Sequence, residues 1–311
     1  MSELKFVPEE LPPILECTGE FGAEVNSFVP FIHWLYQTGQ MVGRQILTYR
    51  GMKSFYYFLN DDQILEKDDK RSWVSPLRRP TWLPNRDDHF PRRSSREWFP
   101  DYRAQYTTDF GFDKPILAIH NKFSSAYLLP PLNYFPLDNL DELFERYKRQ
   151  YQIVFLPSSA GSLRARGFSR DHQKDKQIDE ASVLHRHPEV IDFHELLAGR
   201  GWDYNELKLR LYASTFLFFT VQGGNAHMCS LFSGSLVAIL HRIGQETRHS
   251  YAHGHFQYAA NPAPHYLIAS NATDFMDASR AVEDVTLRGD RVQLGPKGLA
   301  LHARYSEARF R

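Results

Sequence analysis

One segment of the chain constrains the fold most, because it places two short apolar runs on either side of a glycine pair. Leu217–Val221 and Leu236–Leu240 are rich in aliphatic, aromatic and β-branched residues, and each is too short for a typical helix. Such runs are typical of buried parallel strands. Between them lie Gln222-Gly223-Gly224-Asn225 and a short helix predicted over Ala226–Phe232. This order predicts part of a parallel α/β sheet.

The glycine pair suggests an anion site. Gly223 and Gly224 permit positive φ and the close approach of a ligand. A helix that begins near Asn225 or Ala226 would direct free backbone N–H groups at a diphosphate above the strand. The alternative is a tight turn with no ligand. The turn lacks the Lys-Ser or Lys-Thr of a P-loop and the spacing of a dinucleotide fingerprint, which disfavours both of those site types.

Further alternation of strand and helix patterns predicts a Rossmann-type, parallel-sheet carboxyl-terminal lobe over residues 114–311. The predicted strands are Ile116–Ile119, Ile153–Leu156 and a short strand at Val190–Phe193, in addition to the two that flank the glycines. The predicted helices are Leu137–Tyr151, Tyr204–Ala213 and Ala272–Val285.

Residues 1–113 are predicted to form a smaller amino-terminal lobe on the acceptor side. Phe28–Gln45 has helical spacing interrupted by Thr38-Gly39, and Phe55–Leu59 has the composition of a strand. Lys70–Arg103 is rich in Arg, Pro and Trp and lacks periodicity. This segment is interpreted as a packed connection between the lobes, with a lid over an acidic or sugar ligand as the alternative.

Composition limits the partners. The chain has 311 residues and 37 basic against 37 acidic side chains, so no overall field favours nucleic acid. Cys17 and Cys229 do not make a disulfide framework, and Cys229 is predicted to be a small core residue. The sequence contains no leader pattern and no apolar run of about 18 residues. A cytoplasmic protein is therefore expected, with peripheral membrane association left open.

The polar residues after the first strand of the lobe are the next site candidates. His120-Asn121-Lys122 directly follow Ile116–Ile119, and ligands of open α/β sheets bind at the carboxyl ends of strands. Lys122 would offset the charge of a diphosphate. His120 would donate a hydrogen bond or act as an acid or base, with a structural histidine as the equal alternative. We expect these residues to converge with Gln222, Gly223, Gly224 and Asn225.

Three more residues are candidates for binding a nucleotide sugar. Arg164 and Arg166 follow the second strand and have the guanidinium geometry that suits phosphate oxygens, although a solvated loop arginine is the more common case. Glu246, a few residues beyond Leu240, would accept hydrogen bonds from ribose hydroxyls, with an ordinary surface carboxylate as the alternative.

The 14 histidines raise the question of a metal. His185 and His187 lie close together, as do His249, His253 and His255. Such spacing is compatible with metal binding. Without nearby cysteine or acidic partners it is more often found in packed or exposed histidines, so no metal ligand is assigned. A metal-dependent hydrolase remains the third functional hypothesis.

A series of short segments together resembles a group of poorly characterised glycosyltransferase-like proteins from bacteria and large viruses, and is more distantly similar to fucosyltransferase-like GT-B enzymes. The resemblance covers residues 115–260 and, more weakly, 28–60. The segments are Ile119-His120-Asn121-Lys122, Pro131-Leu132-Asn133-Tyr134-Phe135, Tyr151-Gln152-Ile153-Val154-Phe155, Tyr204-Asn205-Glu206, Val221-Gln222-Gly223-Gly224-Asn225 and Phe232-Ser233-Gly234.

The resemblance implies a two-lobed, GT-B-like α/β fold, with the nucleotide on the carboxyl-terminal lobe, the acceptor between the lobes, no cofactor and no obligatory metal. It implies a hexosyl- or deoxyhexosyltransferase that uses a nucleotide diphosphate sugar and a glycan or lipid-linked acceptor, either inverting or retaining. In such families an arginine motif often follows the second strand, whereas here Leu156-Pro157-Ser158 leads on to Arg164. That departure motivates the alternative of a noncatalytic nucleotide- or glycan-binding protein.

Overall fold

The computed structural model describes residues 11–69, 71, 82–83, 98–123, 131–158, 178–242, 248–252, 254–289 and 291–306. The strands, in chain order, are β1 Ile14–Glu16, β2 Gln45–Tyr49, β3 Ile64–Lys67, β4 Ile116–His120, β5 Gln152–Leu156, β6 Ile191–Asp192, β7 Leu217–Val221, β8 Leu236–Leu240, β9 His265–Ala269, β10 Val285–Arg288 and β11 Arg291–Leu294.

The α-helices are α1 Phe21–Ala23, α2 Val29–Gln37, α3 Tyr102–Tyr106, α4 Leu137–Tyr147, α5 Glu180–Arg186, α6 Phe193–Ala198, α7 Tyr204–Ser214, α8 Gly224–Cys229, α9 Arg248–Ala252, α10 Ala272–Ser279 and α11 Pro296–Ser306. A π-helix, Glu24–Phe28, joins α1 to α2. Short 3-10 helices lie at Lys53–Tyr56, Asp61–Gln63, His255–Tyr258 and Arg280–Asp284.

Six parallel strands form the central sheet in the order β6-β5-β4-β7-β8-β9. Counted from β4, this is the order 3-2-1-4-5-6 of the doubly wound nucleotide-binding fold. The protein is therefore an α/β protein with a Rossmann-like sheet. The chain leaves β4 toward one edge of the sheet and returns at β7 to build the other half, so the topological switch point lies between these two strands.

Alternate residues of the central strands enter two different cores, as the period of two in a strand requires. Leu217 and Phe219 face α4 and α10, where they pack with Phe144 and Phe275. Phe218 faces the opposite side and packs with Tyr212 of α7 and with residues of the amino-terminal region. Both faces of the sheet are covered, which explains why its strands read as continuous apolar runs.

The amino-terminal region has a separate parallel sheet in the order β1-β2-β3. Its buried residues, such as Phe28, Ile46 and Phe55, belong to the same continuous core as one face of the central sheet. Arg103 of α3 adds a polar connection, because its guanidinium donates to the carbonyls of Ala213 and Thr215. The core thus crosses residue 113, and the division into lobes at that residue stays a prediction.

The strands predicted in the carboxyl-terminal lobe are all present, and the helix predicted from Tyr204 begins there. The strand predicted at Phe55–Leu59 is wrong. Lys53–Tyr56 is a 3-10 helix followed by a turn, and its aromatic rings pack against neighbours in several directions, as in the edge-to-face contact of Phe55 with Tyr102. Among the described residues no helix is long and apolar enough to cross a membrane.

Candidate functional site

The switch point brings together two of the predicted polar groups. β4 pairs with β7 in parallel, so the residues that follow the carboxyl ends of both strands meet at one edge of the sheet. His120 is the last residue of β4, and Asn225 lies in the first turn of α8, which follows β7. The Nδ2 amide of Asn225 is hydrogen-bonded to Nε2 of His120. Strand topology alone explains why residues so distant in sequence touch.

The glycine turn has the geometry that the sequence predicts. Gly223 has a φ of +140° and a ψ of −168°, a conformation that is essentially restricted to glycine. A Cβ at Gly223 would lie 3.4 Å from Nζ of Lys122, and a Cβ at Gly224 would lie only 2.9 Å from Cδ1 of Phe21. The turn is therefore enclosed by a cationic side chain on one side and an aromatic ring on the other, and both glycines are needed for this close packing.

A buried lysine completes the cluster. Lys208 lies on α7, is only 1% exposed, and donates from Nζ to Oδ1 of Asn225. Together, Lys208, Asn225, His120 and Lys122 are called the switch-point cluster. Among the described residues, no carboxylate forms an ion pair with Lys208. The cluster thus places Lys208, a buried cation without a counter-charge among the described residues, beside the end of a strand.

Burial and positive charge both disfavour protons on the cluster. Burial lowers the pKa of Lys208 to about 7. Burial also lowers the pKa of His120 well below its ordinary value, and the charges of Lys208 and Lys122 lower it further, with a small opposing effect of its own backbone carbonyl. His120 is therefore neutral at physiological pH, while Lys208 titrates near it. An anion at this site would favour the protonated form of Lys208.

Asn121 has a different surrounding from its neighbour His120. Its side chain is fully buried, and its amide nitrogen donates to Oε1 of Glu180 at 2.7 Å and to the carbonyl of Phe135 at 3.2 Å. Glu180 in turn accepts hydrogen bonds from the backbone and the hydroxyl of Ser158. Asn121 and Glu180 thus tie together the ends of β4 and β5, and this accounts for the polar groups of Asn121 without a ligand.

Gln222 and His227 extend the polar surroundings of α8. The Oε1 atom of Gln222 accepts a hydrogen bond from Tyr251, whose ring stacks on Phe256 at 4.6 Å. His227 is hydrogen-bonded through Nδ1 to Asn26 of the π-helix at 2.9 Å. All five residues of that π-helix are buried. The amino-terminal region is therefore fastened directly to the helix that begins at the glycine turn.

Other predicted residues are not brought to the switch point by the described structure. Arg164, Arg166, Glu246 and His253 lie outside the described residues. His187 is hydrogen-bonded to Asp141 at 3.1 Å and packs edge-on against Phe144, which is a structural role. Within the described ranges, no group of three or more His, Cys, Asp or Glu residues is arranged to hold a metal ion. Cys17 and Cys229 are both buried free thiols.

Two members of the site had no sequence signal that identified them. Lys208 lies in a helix that has apolar residues on several sides. From the sequence, a lysine in such a helix is expected to extend its amine to solvent. Phe21 lies far from the glycine turn in sequence.

Comparison of the chain with protein-family models, with curated proteins and with solved structures found no match. The basis for a functional proposal is therefore the geometry and charge of the site itself.

Proposed function

We propose that the protein is a glycosyltransferase that transfers a hexosyl or deoxyhexosyl group from a nucleotide diphosphate sugar to a glycan or lipid-linked acceptor. The observation that carries this proposal is the buried cation Lys208, which forms no ion pair with a carboxylate of the described residues and lies in one cluster with Lys122 beside the Gly223 turn. Ligands of doubly wound sheets bind at the switch point, and a diphosphate is the nucleotide component that needs cations and a close backbone approach.

The proposed transfer reaction depends on stabilising the negative charge that develops on the leaving diphosphate. Cleavage of the bond between the sugar and the diphosphate leaves additional negative charge on the phosphate oxygens. Lys122 and Lys208 would stabilise that charge in a site with little water, where electrostatic interactions are strong. Because two side-chain cations are present, the proposed mechanism requires no metal ion. The remaining contribution would be the positioning of the acceptor hydroxyl against the sugar.

A second candidate function is a noncatalytic nucleotide- or glycan-binding protein. The observation that favours it is the hydrogen bond from Asn225 to Nε2 of His120, because it occupies the one basic nitrogen of the neutral ring. In this arrangement His120 cannot accept a proton from an acceptor hydroxyl unless Asn225 moves. The two functions differ in turnover and share the same binding site.

The experiment combines thermal shift with product release. Purified protein is screened against a panel of nucleoside diphosphates and their sugar conjugates, and free nucleoside diphosphate is then measured in the presence of glycan and lipid-linked acceptors. Stabilisation with turnover supports the transferase, and stabilisation without turnover on any acceptor supports the binding protein. No stabilisation by any nucleotide contradicts both. The same screen is repeated with Lys122→Met, which should weaken the binding of a nucleoside diphosphate. Lys53→Met, which removes an exposed lysine paired with Asp61, is the control for this variant.

A further inference from the structure

The amine of Lys208 is held in one place by its surroundings. Its Nζ lies 6.0, 5.9 and 5.6 Å from the ring centroids of Phe21, Tyr204 and Tyr212. Aromatic faces at such distances attract a cation. The side chain of Asn225 provides its hydrogen-bond acceptor. Lys208 is thus a buried cation surrounded by aromatic rings. Its one described hydrogen bond, to Asn225, can therefore fix the orientation of the Asn225 side chain.

The direction of each hydrogen bond in the cluster follows from this. Below pH 7, where Lys208 is protonated, its ammonium donates and cannot accept, so the oxygen of the Asn225 amide must face Lys208. The Nδ2 group of Asn225 then faces His120 and can only donate. Nε2 of His120 must therefore accept. A neutral imidazole carries one proton, which leaves that proton on Nδ1.

The remaining ring nitrogen carries a proton without a well-placed acceptor among the described residues. His120 is only 7% exposed, and apart from a weak interaction of the ring with its own backbone carbonyl, its Nδ1 makes no hydrogen bond to any described residue. A buried donor without a partner destabilises a protein, so such groups in native proteins are usually matched by a ligand or by water. The ring stands at the end of β4, next to Lys122 and the glycine turn. An oxygen of a ligand at the switch point would complete its hydrogen bonding.

We propose that Lys208 is a positioning residue which, through Asn225, holds His120 as a neutral Nδ1–H donor for an oxygen atom of the ligand at the switch point. The inference rests on the proposed nucleotide-sugar site and gives His120 a defined part in it. The oxygen belongs to the diphosphate or to a hydroxyl of the sugar beside it. His120 then orients the donor substrate, and the base for the acceptor hydroxyl is a different group.

The test is the tautomer of His120 in the ligand-free protein, read from long-range proton–nitrogen correlation spectra of the full chain. At pH 6, where Lys208 is protonated and His120 is neutral, the wild-type ring should show protonated Nδ1 and unprotonated Nε2. Asn225→Asp should reverse this, because a carboxylate only accepts and would require a proton on Nε2. Lys208→Met should release Asn225 and give a mixture of tautomers. His187, which is hydrogen-bonded to Asp141, is the internal reference and should remain unchanged.

Two outcomes would overturn the inference about positioning. One is an Nε2–H tautomer in the wild type, a measurement that needs no variant and so does not depend on whether the variants fold. The other is an unchanged tautomer in folded Asn225→Asp. Lys53→Met should leave the His120 signals unchanged.

The ligand arm of the experiment adds nucleoside diphosphates and nucleotide sugars from the same panel. A bound ligand should shift the Nδ1 proton resonance and slow its exchange with water. Binding that leaves this proton unchanged overturns the donor role of His120. If no nucleotide binds, the proposed function fails, while the tautomer measurement still decides whether Lys208 and Asn225 position the ring.

Discussion

The molecule contains two buried polar clusters that differ in how their charge is compensated. In the amino-terminal region, Arg71 contacts Oε2 of Glu24 at 2.6 Å, and Tyr56 and Thr48 donate to Oε1 of the same carboxylate. We call these four residues the charge-balanced cluster. The switch-point cluster holds Lys208 with an amide as its acceptor and no described carboxylate. Arg71 and Lys208 are both buried cations, and of the two only Arg71 has a described carboxylate as its partner.

The presence or absence of a counter-charge distinguishes a buried charge that stabilises the fold from one that is available to bind a ligand. A buried ion pair with its remaining hydrogen bonds satisfied is a stable internal connection, and Glu24–Arg71 joins the π-helix to the chain beyond β3. A buried cation without a counter-charge destabilises the protein and is retained where it has a function. The two clusters should therefore respond oppositely to the removal of charge.

The largest effect is expected from Glu24→Gln, which leaves Arg71 as a buried cation without a carboxylate. Breaking such a pair from one side costs about 3–5 kcal/mol of unfolding free energy. Urea denaturation measures the loss. The matched control is Glu142→Gln, which removes one partner of a half-exposed pair with Arg146 and should cost less than about 1 kcal/mol. Equal losses of unfolding free energy in the two variants would contradict the claim that Glu24 compensates the buried charge of Arg71.

The next effect is expected from Gly223→Ala at the turn of the switch-point cluster. A side chain in this φ,ψ region costs about 1–3 kcal/mol, and the new Cβ would be in van der Waals contact with the Lys122 side chain. We expect lower stability together with weaker nucleotide binding. Gly199→Ala is the control, because Gly199 has an ordinary φ of −83° and should be neutral or slightly stabilising when replaced. Full retention of nucleotide affinity in folded Gly223→Ala would remove the turn from the site.

Lys208→Met should raise the stability at pH 7, in contrast to the loss from Glu24→Gln. The folded pKa of Lys208 is lowered to about 7 from 10.5, so between these values the unfolded chain binds more protons than the folded one. The contribution of Lys208 to stability therefore rises with pH across this window. We expect a gain of at least about 1 kcal/mol at pH 7, since one pKa unit corresponds to about 1.4 kcal/mol.

Lys208→Met should also remove part of the pH dependence of the unfolding free energy. Urea unfolding between pH 7 and 10 should show a rising stability for the wild type and a flatter profile for Lys208→Met. If Lys208→Met is less stable than the wild type and has the same dependence of unfolding free energy on pH, the charge of Lys208 is compensated in the folded protein. That result would contradict the proposed difference between the two clusters.

The smallest effect is expected from Lys122→Met, which removes the less buried cation of the switch-point cluster. Affinity for a nucleoside diphosphate should fall about tenfold, equivalent to about 1.4 kcal/mol, and its dependence on salt should weaken. Stability should change little. Titration calorimetry at two salt concentrations measures both effects, with Lys53→Met as the control.

The sequence was sufficient for the elements whose pattern is local. The apolar runs at Leu217–Val221 and Leu236–Leu240 and the glycine turn between them could be placed correctly, because both signals are contained in a few neighbouring residues. The Rossmann-like strand order was also accessible, since parallel strands alternating with helices allow few topologies. The first sheet was missed because β1 and β3 are very short and partly exposed.

The candidate site could be predicted only in part. The meeting of His120 with Asn225 follows from the rule that strand ends converge at the switch point. The burial of Lys208 does not follow from any local rule, because it arises from packing α7 between the sheet and the amino-terminal region. The connection of Asn121 to Glu180 likewise depends on the placement of α5, which the sequence pattern left unassigned.

The most direct test of an uncompensated cation site is the proton balance of ligand binding. Calorimetric titration with a nucleoside diphosphate at pH 8, repeated in buffers of different ionisation enthalpy, measures the protons taken up. The wild type should take up close to one proton, because the phosphate charge raises the pKa of Lys208 above the working pH, and Lys208→Met should take up none. Binding without proton uptake in the wild type, or no binding of any nucleoside diphosphate, would contradict the account.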